Sequence, residues 1–274
     1  MGSIKLDETK CERDGICVAI CPMGLFRQKE AGKVPTHKPD ARHFCIDCYH
    51  CIAACPHEAL TIGSVDASNC EPLDEEMKIS QEEAEQFLRS RRSIRSYKEK
   101  AVEKETITGL IELASHAPSG HNNRDLRWTV YYHPDDVQHL SAQVIDWARY
   151  EMTNQPELAK KFYLDRLVKG WDLGIDTICH NAPHLIVVHA SKSNPMARQA
   201  ATIAINYLEL AAISMGLGTC WAGYFQMAVG AWKPLREKLS LSKDEAVHGA
   251  LMIGYPKYSY HRLPPRPKPD VSYV

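Results

Sequence analysis

The segment CIDCYHCIAACP, Cys45 to Pro56, carries four cysteines in the spacing C-x2-C-x2-C-x3-C, followed by proline. Thiolates at these intervals wrap a loop around an iron–sulfur cluster, and the fourth cysteine of such a run turns away to reach a second cluster. Zinc is the alternative metal, because C-x2-C pairs also hold zinc. Zinc sites usually use two separated pairs and do not need the C-x3-C-P ending, so the spacing favours an iron–sulfur cluster.

An earlier segment, CERDGICVAICP from Cys11 to Pro22, repeats the pattern at an offset of 34 residues. The aligned cysteines are Cys11 with Cys45, Cys17 with Cys51 and Cys21 with Cys55. Apolar residues align in step, as Val18 does with Ile52. The second ligand position, Cys48 in the later copy, is Asp14 in the earlier copy. The chain therefore contains an internal duplication that is typical of two-cluster domains.

Crossed ligation assigns the predicted ligands to two sites. One cluster takes Cys21, Cys45, Cys48 and Cys51, and the other takes Cys11, Cys17 and Cys55, with Asp14 facing its fourth iron. A carboxylate is a harder donor than a thiolate, but it can ligate iron. Three outcomes stay open for the first cluster: a four-iron cluster with Asp14 as a ligand, a three-iron cluster lacking that corner, or no cluster.

Composition and charge restrict the classes of protein to which the chain can belong. The hydrophobic share of 44% and the charged share of 24% are those of a globular protein, and the net charge of −1 predicts no nucleic-acid partner. The first ten residues lack the apolar core of a signal peptide, and Asn206 and Glu209 interrupt the most apolar stretch, so we expect no membrane association. Seven of the 10 cysteines fall within the first 55 residues, which favours metal over disulfides in a cytoplasmic protein.

The pattern along the chain predicts a cluster domain over residues 1–64, a linker over 65–79 and a larger domain over 80–274. Ser80 and Glu83 form a capping box that predicts a helix to about Ser90. Further helices are predicted over 106–115, from Pro134 onward and over 198–215, the last apolar almost all round. Strands are predicted over 126–133, 184–190, 219–225 and 246–256. Helices around a few strands, without strict alternation, predict an α+β fold.

Three stretches of the larger domain carry candidate binding residues. RSRRSIRSY, Arg89 to Tyr97, concentrates guanidinium groups that can bind a phosphomonoester, although the same cations could simply compensate a helix C-terminus. HAPSGHNNRDLRW, starting at His116, is a polar loop that can bring donors close to a flat heterocycle. The third stretch combines GLGTCWAGYF, from Gly216, with the ending IGYPKYSYHRLPPRP.

The order of these stretches resembles the nitroreductase family of FMN enzymes from about Ser80 to Val274. With the duplicated cysteine segments, the chain looks like the branch of that family fused to a two-cluster bacterial-type ferredoxin domain. The resemblance implies a ferredoxin-like domain followed by an α+β domain with a central, mainly antiparallel sheet. It also implies FMN at the interface of a homodimer that exchanges its C-terminal arms.

The resemblance also implies roles for individual residues. The FMN phosphate and ribityl chain would be held by Arg91, Arg92, Ser93 and Arg95, with the C-terminal Arg262 reaching the phosphate. A loop from the partner subunit would contribute Pro118, Ser119, Gly120, His121 and Asn122. The segment over the isoalloxazine ring matches Cys220, Trp221, Ala222 and Gly223. Tyr260 stands where some members carry a lysine, and His121 is a candidate proton donor.

These features predict an FMN-dependent oxidoreductase in which electrons pass from a donor through two clusters to FMN. The donor would be reduced ferredoxin or NAD(P)H, and the acceptor an electron-poor small molecule such as a nitroaromatic or a quinone. Two other functions stay open. One is a flavin–cluster electron-transfer protein that serves a partner protein, and the other is reductive dehalogenation on the same flavin platform.

Overall fold

The computed structural model describes residues 3–274 and divides them into two compact units. The first unit contains residues 3–79 together with 121–123, and the second contains 80–120 and 124–274. The predicted linker, 65–79, falls within the first unit. In the part of the chain that the structure describes, no helix is both long and apolar enough to cross a membrane.

The first unit is built from short elements around the cysteine loops. Its strands are β1 (Ile4–Leu6), β2 (Phe26–Arg27), β3 (Thr36–His37) and β4 (Leu60–Ile62), and its helices are α1 (Ile16–Ile20), α2 (Ala41–Phe44) and α3 (His50–Ala53). β1 pairs antiparallel with β4, and β2 with β3. The core is small: seven apolar side chains and two of the cysteines, Cys17 and Cys51, are buried together. A core of this size gives little stability alone, so bound metal would contribute to folding.

The backbone preserves the duplication that the sequence predicts. Three pairs of positions at the 34-residue offset adopt the left-handed conformation: Arg13 and Asp47 (φ 65° and 49°), Gly15 and Tyr49 (φ 74° and 56°), and Gly24 and Glu58 (φ 56° and 53°). Helices α1 and α3 begin at equivalent residues, directly after the second pair. Four of these six residues are not glycine, and the left-handed region is disfavoured for such residues, so both loops need contacts that hold this shape.

The second unit contains a four-stranded, fully antiparallel sheet in the order β5-β6-β8-β7. Its strands are β5 (Arg127–Tyr131), β6 (His184–Ser191), β7 (Gly218–Trp221) and β8 (Glu245–Gly254). Successive residues of the central strand β6 alternate between two cores: Leu185 and Val187 join one, and Ile186 and Val188 join the other. Both faces of the sheet are therefore covered, as expected for an α+β layer structure.

The described part of the second unit contains eight α-helices: α4 (Gln81–Ser90), α5 (Lys104–Ala114), α6 (Pro134–Asn154), α7 (Pro156–Lys161), α8 (Leu164–Asp172), α9 (Ala197–Ser214), α10 (Gly223–Ala231) and α11 (Lys233–Lys238). Side chains of α5 and α9 form one core, and those of α6, α8, α10 and α11 form the other. Ser80 caps α4 in the predicted capping box with Glu83, and Pro134 opens α6.

Two local expectations differ from the structure. The apolar run Thr219 to Phe225 is not one strand, because the chain turns at Ala222 and α10 begins at Gly223. Helix α9 is not enclosed all round: Ile203 and Tyr207 on its outer face are 38% and 43% exposed. After Pro256 the described chain forms neither helix nor strand, and residues 257–274 are exposed.

Candidate functional sites

The first unit brings one predicted ligand set together at a single cavity. Cys21, Cys45, Cys48 and Cys51 line it, with apolar neighbours that include Leu25, Phe26 and Ile62. Burial raises the pKa of the Cys51 thiol to about 12, and the adjacent Cys21, Cys48 and Cys45 add to the shift. The Leu25 amide donates a hydrogen bond to the Cys21 sulfur over 3.4 Å. Such N–H···S bonds help to set the reduction potential of a cluster.

The other predicted set lines a second cavity. Cys11, Asp14, Cys17 and Cys55 are found there with His57 and the apolar Leu6 and Leu60. Burial raises the pKa of the Cys17 thiol to about 11, and the negative charges of Cys11, Asp14 and Cys55 raise it further. The crossed arrangement, in which Cys21 joins the later loop and Cys55 the earlier one, is thus present in space. The role of these residues as ligands stays a prediction.

The thiols of each set surround a cavity and do not meet at a point. Within residues 3–274, no three His, Cys, Asp or Glu side chains are arranged to hold one metal ion. Four thiols around one cavity, and three thiols with a carboxylate around the other, fit the chemistry of multi-iron clusters, whose irons are held at separate corners. The donor sets therefore fit iron–sulfur clusters.

Asp14 is held at the edge of its cavity by contacts to both carboxylate oxygens. Oδ1 accepts a hydrogen bond from the Ile16 amide over 3.0 Å, and Oδ2 lies 3.4 Å from Nε2 of His57. Each oxygen still has a lone pair for another partner, so these contacts are compatible with ligation. They are equally compatible with a corner that holds no iron, and the three outcomes for the first cluster stay open.

In the second unit, the predicted phosphate-binding segment lies between two of the other predicted motifs. The Ile94 amide donates to the Thr219 carbonyl over 2.8 Å, which joins the segment to β7. The Lys98 amide donates to the Tyr255 carbonyl over 2.9 Å, and the Lys257 amide donates to Ser96. The stretches RRSIRSY, GTCW and GYPK, distant in sequence, are thus adjacent.

The arginines of this segment have different surroundings. Burial raises the pKa of the Cys220 thiol, whereas the positive charge of Arg95 and a hydrogen bond from Ser93 lower it. The Arg92 guanidinium lies 5.7 Å from the ring centroid of Tyr260, the residue that stands where some family members carry a lysine. Arg262 is exposed. The segment therefore offers several cations near the edge of the sheet.

Glu209 is a buried acid that the sequence did not mark as part of this region. Its carboxylate accepts hydrogen bonds from Thr219 Oγ1 over 3.1 Å and from Trp221 Nε1 over 3.0 Å. Arg91 Nη1 lies 3.9 Å from Glu209 Oε1. The carboxylate thus orients Trp221 and faces Arg91. In the sequence, Glu209 could have been noticed only as an acidic residue within the most apolar predicted helix.

The predicted flavin-contacting loop is divided between the two units. Pro118, Ser119 and Gly120 belong to the second unit, where the Ser119 hydroxyl accepts a hydrogen bond from the Arg124 amide. His121 and Asn122 belong to the first unit, and both adopt positive φ. The Asn122 side-chain amide donates to the Ile46 and Asp47 carbonyls, over 2.9 Å each. No sequence pattern indicates that contact, since Asn122 and Asp47 are 75 residues apart.

Fold and motifs together define a class of protein: a ferredoxin-type unit joined to an α+β fold of the FMN oxidoreductase type. The nitroreductase family model matches residues 88–255, and a model of the 4Fe-4S dicluster domain matches residues 9–60. The chain belongs to the nitroreductase family and is an FMN-dependent oxidoreductase with an N-terminal 4Fe-4S domain.

Solved structures share the fold of the second unit. A nitroreductase with bound FMN from Bacteroides fragilis is 20% identical, covers 70% of this chain and 98% of its own, and has a TM-score of 0.57. A nitroreductase with bound FMN from Desulfitobacterium hafniense is 20% identical and has a TM-score of 0.55; the match covers 69% of this chain and 96% of that chain. Oxidized iodotyrosine deiodinase bound to FMN and 3-iodo-L-tyrosine is 22% identical and has a TM-score of 0.52; the match covers 69% of this chain and 98% of that chain.

A curated relative matches a short part of the chain. The Protein NrfC homolog of Haemophilus influenzae is 50% identical over 50 residues, which are 18% of this chain and 20% of that protein. The chain therefore spans about a fifth of this relative's length, and nothing about the whole relative carries over.

Proposed function

We propose that the protein passes electrons from an external donor through two iron–sulfur clusters to FMN, and from FMN to an electron-poor small molecule such as a nitroaromatic or a quinone. The observation that carries this proposal is the grouping of two four-residue ligand sets in one chain with a nitroreductase domain. Clusters transfer single electrons, whereas a flavin collects two and delivers a hydride. Such a pairing suits a one-electron donor and a two-electron acceptor.

The chain's own residues would hold FMN through charge and shape. Arg91, Arg92, Ser93 and Arg95 would bind the phosphate and ribityl chain, because guanidinium groups pair bidentately with phosphate oxygens. Arg262 would join them from the C-terminal segment. Cys220 to Gly223 would lie against the isoalloxazine ring, with Trp221 oriented by its hydrogen bond to Glu209. Pro118 to Asn122 would complete the flavin surroundings, with His121 as a candidate proton donor.

We further propose a cytoplasmic homodimer with FMN at its interface. The support is the outer face of α9, where the apolar Ile203 and Tyr207 are exposed, together with the exposed stretch from residue 257 to 274. Apolar side chains on one helix face favour burial against a partner. Sedimentation of the loaded protein should therefore give twice the mass of one chain, and a monomer at micromolar concentration would contradict this assignment.

Cofactor content of anaerobically purified protein tests the proposal. We expect about one FMN per chain and about seven or eight irons with matching sulfide, seven being the case of a three-iron first cluster. Absence of flavin would refute the flavin path. Fewer than about five irons in a fully loaded preparation would remove one cluster.

Matched variants separate the two cofactors. Cys48→Ser should lower iron content and leave FMN bound, whereas Arg91→Ala should weaken FMN binding and leave iron unchanged. Both variants should slow nitroaromatic or quinone reduction by reduced ferredoxin. With NAD(P)H, Cys48→Ser would keep its rate only if that donor reduces the flavin directly. Reduction of a partner protein alone, with no small-molecule turnover, would favour the electron-transfer function, and halide release from a halogenated aromatic would favour dehalogenation.

A further inference from the structure

The two cysteine loops have the same backbone shape and therefore need equivalent support. Each loop places a non-glycine residue, Arg13 or Asp47, in the left-handed conformation between its first cysteine and its helix. In each loop the carbonyl of this residue accepts a hydrogen bond from a side-chain amide, which helps to hold the loop in this disfavoured conformation. The donor differs between the two loops.

In the first loop the donor is Gln28. Its side-chain amide donates to the Arg13 carbonyl over 2.8 Å and to the Lys33 carbonyl over 2.7 Å. The Gln28 side chain also packs on Gly15, since a Cβ at that glycine would lie 2.7 Å from Gln28 Oε1. Gln28 thus closes over the first loop, and the lack of a side chain at Gly15 gives it room.

In the second loop, the equivalents of Gln28 and Gly15 are residues of a different kind. The position equivalent to Gln28 at the 34-residue offset is Ile62, an apolar residue that is buried in the core and paired in β4. The position equivalent to Gly15 is Tyr49, which carries a side chain. Neither Ile62 nor Tyr49 has a side-chain amide that could donate to the second loop as Gln28 does to the first.

Asn122 supplies that amide from a distant segment. Its Nδ2 donates to the carbonyl of Asp47, the residue equivalent to Arg13, and to the carbonyl of Ile46, over 2.9 Å each. Arg42 adds a two-pronged ion pair with the Asp47 carboxylate, at 2.7 Å and 3.0 Å. Backbone and side chain of Asp47 are therefore both held, midway between Cys45 and Cys48.

We propose that Asn122 is a positioning residue for the second cluster and takes the role that Gln28 has for the first. The amide fixes the loop that presents Cys45 and Cys48, and so fixes the sulfur positions and the N–H groups around them. Reduction potentials of clusters depend on these hydrogen bonds and on solvent access. The inference rests on the proposed function only in requiring that both clusters are bound.

Paired variants test this role in the full-length, cofactor-loaded protein. Asn122→Asp and Gln28→Glu keep the size of each side chain and replace the donor with an acceptor. Cys48→Ser and Cys17→Ser identify the signal of each cluster in EPR-monitored redox titrations. We expect Asn122→Asp to shift only the potential of the Cys48 cluster and to speed iron release from it to a chelator by about tenfold, for two lost hydrogen bonds. Gln28→Glu should act on the other cluster alone.

If Asn122→Asp does not fold, a second variant that retains a hydrogen-bond donor tests the same role. Asn122→Ser retains one hydroxyl donor and should give a smaller change at the same cluster. The proposal is overturned if Asn122 variants leave both clusters unchanged, or if they affect the two clusters equally. A chain that binds no iron refutes the proposed electron path as well, whereas normal iron content with unchanged potentials refutes the role of Asn122 alone.

Discussion

Replacing Arg91 with alanine should weaken FMN binding by about thirtyfold. Arg91 follows the last residue of α4, and its side chain is 30% exposed, so a guanidinium group is available to a phosphate. A charge-assisted hydrogen bond contributes about 1.5–3 kcal/mol. A loss of about 2 kcal/mol corresponds to a rise in Kd of about thirtyfold.

The same substitution should leave the fold intact. Arg91 Nη1 and Glu209 Oε1 are 3.9 Å apart, which is longer than a hydrogen bond, and the Arg91 side chain is 30% exposed, so we expect this pair to add little to stability. Glu209 keeps its hydrogen bonds from Thr219 and Trp221, so its buried carboxylate is not left without donors. Weaker flavin binding would then report a lost phosphate contact and not unfolding.

Anaerobic titration of flavin-free protein with FMN, followed by quenching of flavin fluorescence, measures this effect. Arg89→Ala is the matched control, because Arg89 lies two residues earlier and forms an exposed ion pair with Glu85 within α4. The control should bind FMN as the unaltered protein does. Unchanged affinity in Arg91→Ala, or an equal loss in both variants, would refute the assignment of Arg91 to the phosphate.

Three further substitutions give expected outcomes. Asp14→Cys should raise iron content from about seven to about eight per chain if the first cluster is a three-iron cluster; an unchanged content of about eight would indicate a complete four-iron cluster, and one of about four would indicate no first cluster. Gly218→Ala should lower the free energy of unfolding by about 1–3 kcal/mol in urea titrations and weaken FMN binding, because a Cβ would lie 2.5 Å from Ile94 Cγ1; wild-type values would contradict this close approach. Burial lowers the pKa of His184, whose Nε2 accepts from the Val102 amide, so the unfolded state binds the proton more readily. The contribution of His184 to stability should be constant above about pH 6.5 and fall by up to about 1.4 kcal/mol per pH unit below it, and His184→Gln should remove that part of the slope.

Patterns local in sequence predicted much of the architecture. The capping box of Ser80 and Glu83 placed α4, and Pro134 placed the start of α6, because each signal lies within one turn of helix. The ferredoxin-type unit and the mainly antiparallel sheet were implied by the resemblance to known families, and both are confirmed. Thr219 to Phe225 was mistaken for one strand because a short apolar run has no period that separates strand from helix.

Contacts between distant segments left no such signal. In the sequence, Glu209 is only a polar interruption of an apolar helix. Its role follows from the structure, in which Thr219 and Trp221 of β7 donate hydrogen bonds to it. Asn122 reads as one polar residue among several in a loop. Its partners are backbone carbonyls, which every residue has, so no sequence pattern marks the loop that receives its amide.

The duplicated halves show how one fold can diverge while its backbone is retained. The earlier copy has Asp14 where the later copy has Cys48, and its supporting amide, that of Gln28, lies close to the loop in sequence. The later copy keeps every cysteine, but its equivalent of Gln28 is the core residue Ile62, and the needed donor comes from Asn122. The unit that holds the cysteines is consequently discontinuous in sequence, since it requires residues 121–123 in addition to 3–79. We therefore expect a change at residue 122 to affect first the cluster predicted at the four thiolates, because the loop that carries Cys45 and Cys48 accepts hydrogen bonds from a residue outside the duplicated segment.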